Sequence, residues 1–171
     1  MAKNKVKFPQ QLAKYLAKTR AKHKVMQHKT VYTAYDVAAT MKKKLNEVAK
    51  TLLVAADKNY YLVILPADHN LDFKKLAKII GQQSKTKVKV IKIPNEKVMA
   101  KVLKIKAGTM SAFGGIHKLP VIMDKSLTKV KKAVFASGSF NHSVEMAVKD
   151  FVKMENTLLG NFGIRKKKIA N

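Results

Sequence analysis

The sequence predicts a single domain of the mixed α+β class, with helices and strands alternating along the chain. With 171 residues, the chain has room for one domain with a proper core. Apolar residues make up 47% of it, which excludes a disordered tail. Apolar positions at helical spacing alternate with short apolar runs, and no linker interrupts them. Two of these runs flank a turn and predict a hairpin, which excludes a pure doubly wound βαβ sheet.

The N-terminal part of the chain carries signals for two helices and a strand. Pro9 opens a helix, because proline suits the first turn and the apolar residues after it share one face. Residues 23–29 predict a strand. Thr33 and Asp36 resemble a capping box, with Asp in the place of Glu, and predict the start of a second helix.

The middle of the chain predicts a hairpin followed by a helix and a strand. Residues 50–56 and 60–66 are apolar runs on either side of an Asp-Lys-Asn turn. Residues 71–80 have helical spacing, and Gly81 stands where a C-terminal cap belongs. Residues 88–93 predict a further strand.

The C-terminal half predicts a capped helix, a glycine-rich loop and three strands before a last helix. Asn95 is a suitable cap for the first of these elements. The others are the loop at 108–115, strands at 119–123, 133–137 and 143–148, and a helix at 150–159. We expect residues 1–160 to form the domain and residues 161–171 a basic tail that is frayed at its end.

The charge of the chain predicts a polyanionic partner. Thirty-six basic residues against ten acidic ones give a formal net charge of +26, and lysine supplies nearly all of the positive charge. Such a field attracts nucleic acid, and lysine suits phosphate better than base edges. Two alternatives remain open: lysine-rich solvated faces with no partner, and a membrane-surface or other polyanion-binding protein.

Several classes of function are excluded or disfavoured by what the sequence lacks. Without cysteine there is no disulfide, thiolate metal site or cysteine nucleophile. No apolar run is long enough to span a membrane, and the N-terminus does not resemble a secretory signal, so we expect a cytoplasmic protein with no membrane partner. The five histidines are expected not to cluster, which disfavours a metal site, and no phosphate-binding loop or dinucleotide fingerprint is present.

Two segments are less ordinary, although each alone fits an unremarkable strand or loop. Lys50 stands at the entrance of a strongly apolar strand, where a cation can point into a cleft. Residues 106–114 are small residues between a helix and a strand, and such a loop lets backbone N–H groups face a ligand.

Taken in order, these segments resemble the YbaK/prolyl-tRNA-synthetase-associated domain family. Its members are aminoacyl-tRNA deacylases, either free-standing or inserted in prolyl-tRNA synthetase as its editing domain. The resemblance runs from about Thr30 to Met154. Its pieces are the helix start at 33–39, Lys50-Thr51-Leu52, the strand and helix at 62–76, the Gly108 loop, Leu119 to Asp124, and Phe135 to Ser139.

The resemblance implies a mixed, partly barrel-like sheet flanked by helices, and a site without metal or cofactor. Lys50 would hold the phosphate side of the terminal adenosine, and the Gly108 loop would surround the ester carbonyl with backbone amides. Hydrolysis in the family is largely assisted by groups of the substrate. The residues expected to bind substrate are Tyr32, Thr33, Thr51, Thr109, Met110, Ser111, Ala112, Gly138, Ser139 and His142.

One departure from the family bears on activity. The proline expected at the end of the glycine loop is Ala112 here, and without its fixed φ the loop is expected to be softer. The leading hypothesis is a monomeric deacylase that acts in trans on mischarged tRNA, with an aminoacyl-tRNA synthetase as a further partner. The rival is a non-catalytic, strongly basic RNA-binding module on the same fold.

Overall fold

The computed structural model describes residues 7–105 and 110–167. The helices are α1 (Gln10–Thr19), α2 (Ala34–Met41), α3 (Phe73–Ser84), α4 (Glu96–Leu103), α5 (Gly114–His117) and α6 (Val148–Met154). The strands are β1 (Lys24–Gln27), β2 (Ala49–Ala56), β3 (Asn59–Pro66), β4 (His69–Leu71), β5 (Ile91–Lys92), β6 (Val121–Asp124), β7 (Lys132–Ala136), β8 (His142–Ala147), β9 (Leu158–Gly160) and β10 (Gly163–Arg165). The predicted mixed α+β class is confirmed.

The strands form a five-stranded, a three-stranded and a two-stranded sheet. The five-stranded sheet has the order β5-β2-β3-β6-β9, with β6 parallel to both β3 and β9 and the other pairs antiparallel. The three-stranded sheet is antiparallel in the order β1-β8-β7, and β10 pairs with β4. A parallel bridge between Val48 and Val134 joins the two larger sheets beside β2. Over the described residues the strand pairing does not close into a barrel.

The hairpin and the predicted N-terminal caps at Thr33 and Asn95 are confirmed. β2 and β3 pair from Ala49 with Pro66 to Ala56 with Asn59, and Asp57 takes a left-handed φ of 52° in the tight turn. Thr33 accepts a hydrogen bond from the backbone N–H of Asp36, and Asn95 accepts one from Val98. Each of these features depends on residues close together in the chain.

Two predicted helix ends are wrong, and the residues after 160 contain a strand that the prediction lacks. Gly81 does not cap α3, which continues to Ser84 and ends at Lys85 in the left-handed conformation. The predicted helix at 150–159 ends at Met154, because residues 158–160 add β9 to the edge of the larger sheet. The predicted basic tail includes β10, which pairs with β4, a strand that the sequence analysis missed. Lys168 and the residues after it lie outside the described part of the chain.

The core has two main parts, on opposite faces of the five-stranded sheet. On one face, Leu53 packs with α1, α6 and the three-stranded sheet around the stacked rings of Phe135 and Phe151, whose centroids are 4.2 Å apart. On the other face, Val54 packs with α3 and Phe162. Leu53 and Val54 are adjacent residues of β2, and adjacent strand residues point to opposite faces of a sheet. The near-continuous apolar run of β2 is therefore buried on both sides. Within the described residues, no helix is long and apolar enough to cross a membrane.

Candidate active site

A cavity of about 310 Å³ lies where the three-stranded sheet meets the start of β2 and of α2. Its lining includes apolar side chains from β2 and β7 and from α2, with polar groups from the loop before β8. Eight residues that the sequence analysis selected line it: Tyr32, Thr33, Lys50, Thr51, Met110, Gly138, Ser139 and His142. The fold therefore brings most of the candidate residues to one concave site.

Ser111 and Ala112 do not line this cavity. Both are buried, and the Ser111 hydroxyl accepts a hydrogen bond from the Phe113 backbone N–H at 3.2 Å. The Ala112 N–H donates to the Ala136 carbonyl at 3.0 Å. The geometry gives no support to their predicted contact with substrate, and it shows instead how the chain after the loop is held. Gly108 and Thr109, the other residues predicted here, lie outside the described residues.

Lys50 occupies the second position of β2, and its half-buried side chain is held in a defined direction. Its Nζ donates a hydrogen bond to the backbone carbonyl of His69 in β4. Burial lowers the pKa of the Lys50 ammonium, and the nearby Lys166 lowers it further, while Asp68 acts in the opposite direction. A carbonyl oxygen leaves the positive charge of Lys50 uncompensated, so the site keeps an attraction for an anion.

Thr51, the next residue of β2, presents a hydroxyl with no partner. Its Oγ1 is buried, and among the described residues nothing donates to it or accepts from it. A buried hydroxyl without a hydrogen bond costs free energy, commonly about 1–3 kcal/mol. Thr51 also lines the cavity, but its Oγ1 has no accessible surface there, so this hydroxyl is not a ligand contact in the present structure.

The loop before β8 fixes the imidazole of His142 against the cavity. Ser139 Oγ lies 3.0 Å from His142 Nδ1, and Ser137 Oγ donates to the His142 carbonyl at 2.6 Å. The same Ser137 oxygen accepts the Ser139 N–H at 3.1 Å. Burial lowers the pKa of His142, and the nearby His28 lowers it further. Both effects favour the neutral form of the His142 imidazole.

The expectation that the histidines do not cluster is wrong for His28 and His142. Both line the cavity. His28 Nδ1 donates to the Lys29 carbonyl at 2.8 Å, so its Nε2 accepts from the Ser143 hydroxyl at 2.9 Å when the ring is neutral. No group of three or more metal-ligating side chains lies together in residues 7–105 and 110–167.

Sequence reasoning missed the residues that shape the cavity wall and its rim. The wall residues are Val31, Ala34, Val37, Val48, Ala49, Val134, Phe135 and Ala136, and the rim includes Phe140. Apolar wall residues have the same pattern as ordinary core, so no signal in the sequence distinguishes them. At the rim, Phe140 meets the ring of Tyr32 edge-on with centroids 4.9 Å apart, and Tyr32 is 72% exposed.

The family model for the aminoacyl-tRNA editing domain matches residues 28–154. Since this match covers most of the chain and includes the cavity-lining elements, the protein belongs to the aminoacyl-tRNA editing domain family. The sequence-based resemblance to this family is confirmed. No curated protein matches the chain.

Solved structures share the fold at low sequence identity. The hypothetical protein APE2540 has a TM-score of 0.79 at 15% identity, over 90% of this chain and 99% of its own. A proposed trans-editing enzyme for prolyl tRNA synthetase has a TM-score of 0.77 at 15% identity, over 91% of this chain and 96% of its own. A computationally designed epitope scaffold has a TM-score of 0.76 at 18% identity, over 94% and 97%. These likenesses show the fold alone.

Proposed function

We propose that this protein is an aminoacyl-tRNA deacylase that acts in trans and hydrolyses the ester of a mischarged tRNA. The observation that carries the proposal is the cavity, which brings the Lys50 cation and the neutral His142 to one concave site in a chain of the editing-domain family. The partner is tRNA, engaged through its acceptor stem and aminoacylated 3′ end. We further propose that the protein is a cytoplasmic monomer, with an aminoacyl-tRNA synthetase as a second partner.

The reaction needs positioning more than it needs a protein nucleophile. Water adds to the ester carbonyl carbon, the bond to the ribose oxygen breaks, and that oxygen takes one proton of the water. The other proton passes to solvent, and the amino acid leaves as a carboxylate. Lys50 would hold the phosphate of the terminal nucleotide, so that RNA binding energy orients the ester. His142 supplies a hydrogen-bonding imidazole at the cavity, and Ser139 holds its ring in place.

The cavity wall is mostly apolar. Valine, alanine and phenylalanine side chains make up most of the wall beside Thr51 and His142. One methylene discriminates by only about 1–3 kcal/mol, which is why a second, hydrolytic site is useful after aminoacylation. Alanine, cysteine, serine, threonine and proline esters are the candidate substrates.

The experiment that tests the proposal is deacylation of a panel of aminoacyl-tRNAs by wild type, Lys50→Ala and Lys58→Ala. Lys58 is an exposed lysine at the other end of β2, so Lys58→Ala makes the same charge change away from the cavity. We expect wild type and Lys58→Ala to hydrolyse one ester, and Lys50→Ala to lose about a hundredfold or more, because the ester is no longer positioned. Equal rates for Lys50→Ala and wild type would remove Lys50 from the site.

A non-catalytic RNA-binding module is the second candidate, favoured by the net charge of +26 and by Ala112 in place of the family's proline. It predicts tight, salt-sensitive RNA binding whose affinity does not depend on whether the 3′ end carries an amino acid. A deacylase instead depends on the terminal adenosine. Absence of hydrolysis for every ester, together with unchanged binding after removal of that adenosine, would establish this second candidate.

A further inference from the structure

The C-terminal strand brings basic residues to Lys50 from outside the family's matched region. The match ends at residue 154, whereas β10 spans Gly163–Arg165 and pairs with β4. In that pairing, Arg165 lies opposite His69, whose carbonyl accepts the hydrogen bond from Lys50. The last described residues of the chain are therefore placed beside the cation of the proposed site.

Lys166 reaches from this strand pair to α2. Its backbone N–H donates to the Asp68 carbonyl at 2.8 Å, which fixes the residue beside β4. Its Nζ donates to the Tyr35 hydroxyl at 2.6 Å and lies 4.5 Å from the centroid of the Tyr35 ring. Tyr35 belongs to the first turn of α2, and the two residues before it, Thr33 and Ala34, line the cavity. The Lys166 side chain thus runs along the edge of the site.

Around Lys50 and Lys166, positively charged side chains outnumber carboxylates. Lys50, Arg165 and Lys166 surround one carboxylate, Asp68, which the Nδ1 of His69 contacts at 2.7 Å and the Nε of Arg165 approaches at 3.9 Å. Within residues 7–105 and 110–167, neither the Lys50 nor the Lys166 ammonium lies within 4.0 Å of a carboxylate. Neighbouring cations that are partly shielded from water repel one another, and an anion between them relieves the repulsion.

We propose that Lys166 and Lys50 together form a two-cation subsite for the backbone phosphates of the single-stranded 3′ end of an RNA. The proposal rests on the function proposed above and adds Lys166 as a substrate-binding residue. Tyr35 provides a neutral hydroxyl and a ring face for the Lys166 ammonium, so it orients the cation without neutralising it. Lysine is a mobile point charge on a flexible stem, which suits a phosphate whose position shifts as the ester is seated.

The test combines RNA binding with deacylation for wild type, Lys166→Ala, Lys166→Arg and Lys58→Ala. The binding probe is a short single-stranded RNA ending in CCA, titrated at several salt concentrations. We expect Lys166→Ala to bind the RNA probe about tenfold more weakly than wild type, because the variant loses one charged contact. It should also reduce the slope of log affinity against log salt by about 0.7, the value for one phosphate of a single strand. Lys166→Arg should retain most of the affinity, and Lys58→Ala should match wild type.

The kinetic readout separates this inference from the proposed function. We expect Lys166→Ala to raise KM for aminoacyl-tRNA, with an unchanged thermal unfolding midpoint. If wild type deacylates an ester and Lys166→Ala has the same KM, affinity and salt slope, the two-cation subsite is wrong and the proposed function stands. If wild type deacylates nothing while Lys166→Ala still weakens binding of the RNA probe, the subsite stands on a binding module and the deacylase proposal fails.

Discussion

Ser111 and Ser137 pair in an isolated antiparallel bridge, which ties the chain following residues 106–109 to the loop that leads to His142. Next to this bridge, the Ala112 N–H donates to the Ala136 carbonyl, and the Phe113 ring packs in the core beside Phe151. The segment that carries alanine in place of the family's proline is thus held by a backbone hydrogen bond and a buried aromatic ring.

Ala112→Pro is expected to destabilise the protein, although it restores the residue that the family pattern predicts. Proline has no N–H, so the Ala136 carbonyl loses its shorter hydrogen bond and keeps only the 3.5 Å bond from the Ser111 hydroxyl, at a cost of about 1–3 kcal/mol. Urea denaturation measures the change. Ala112→Gly is the matched control, because it keeps the N–H and loses only a methyl group. A proline variant as stable as wild type would show that this hydrogen bond contributes nothing.

Gly115→Ala is expected to displace the Tyr15 ring, because an added Cβ falls against it. The Tyr15 hydroxyl donates to Glu155 Oε1 at 2.6 Å, and the Gly115 N–H donates to Glu155 Oε2 at 2.9 Å, so these groups hold α1 against α5 and α6. Overpacking of this kind costs about 1–3 kcal/mol. In a Tyr15→Ala background the whole ring is absent, and the cost of Gly115→Ala should fall. Additive free energies of unfolding would contradict the contact.

Structural features that depend on residues close together in the chain were predictable from the sequence. The β2–β3 hairpin depends on two apolar runs and a turn, and the caps at Thr33 and Asn95 depend on a side chain that reaches three residues along the chain. The pairing of β4 with β10 was not predictable, because strands of three residues carry no readable alternation and their partners are far apart in sequence. The same limit explains why the Lys166 contact with Tyr35 was missed.

The candidate site was predictable only in part, for a related reason. The family resemblance selected Lys50, Thr51, Ser139 and His142, which the fold does bring to one cavity. It also selected Ser111, whose hydroxyl turns inward to the Phe113 N–H. A motif specifies which residues occur in a loop, whereas the direction of each side chain depends on backbone pairing with distant segments.

Asp124→Asn is expected to loosen the C-terminal strands and to change the response to acid. The Asp124 carboxylate is 3% exposed and accepts hydrogen bonds from the backbone N–H groups of Phe162 at 2.8 Å and Gly163 at 2.7 Å. Burial alone would raise its pKa, but the bonds from Ser126, Phe162 and Gly163 outweigh it and lower the pKa. The charged form is thus favoured in the folded state, and this stabilisation is lost as the pH falls through the folded pKa, below about 3.9.

Denaturation of Asp124→Asn at neutral pH should show a loss of about 1.5–3 kcal/mol, the range for hydrogen bonds to a charged group. Ser126→Ala is the companion variant. It removes one hydroxyl donor and leaves the backbone donors in place, so its loss should be smaller. Equal stability of wild type and Asp124→Asn at neutral pH, with the same acid midpoint, would show that the carboxylate is not needed to hold β10.

His142 is expected to titrate below the usual histidine value of about 6.5, because burial and the neighbouring His28 both disfavour its charged form. The unfolded state takes up a proton near the usual value, whereas the folded state resists it to lower pH. The contribution of His142 to stability is therefore complete above the usual value and is lost as the pH falls from there towards the folded pKa. Burial also lowers the pKa of His117, so stability alone does not separate the two histidines.

Activity separates them, because His142 lines the cavity and His117 does not. We expect His142→Gln and His117→Gln each to flatten the pH dependence of unfolding between about pH 5 and 7. Deacylation by wild type should decline on the acid side as His142 becomes charged, and only His142→Gln should remove that decline from kcat/KM. Titration of the imidazole resonances by NMR measures both pKa values directly. A value for His142 at or above that of an exposed histidine would contradict the desolvated, neutral imidazole on which this role depends.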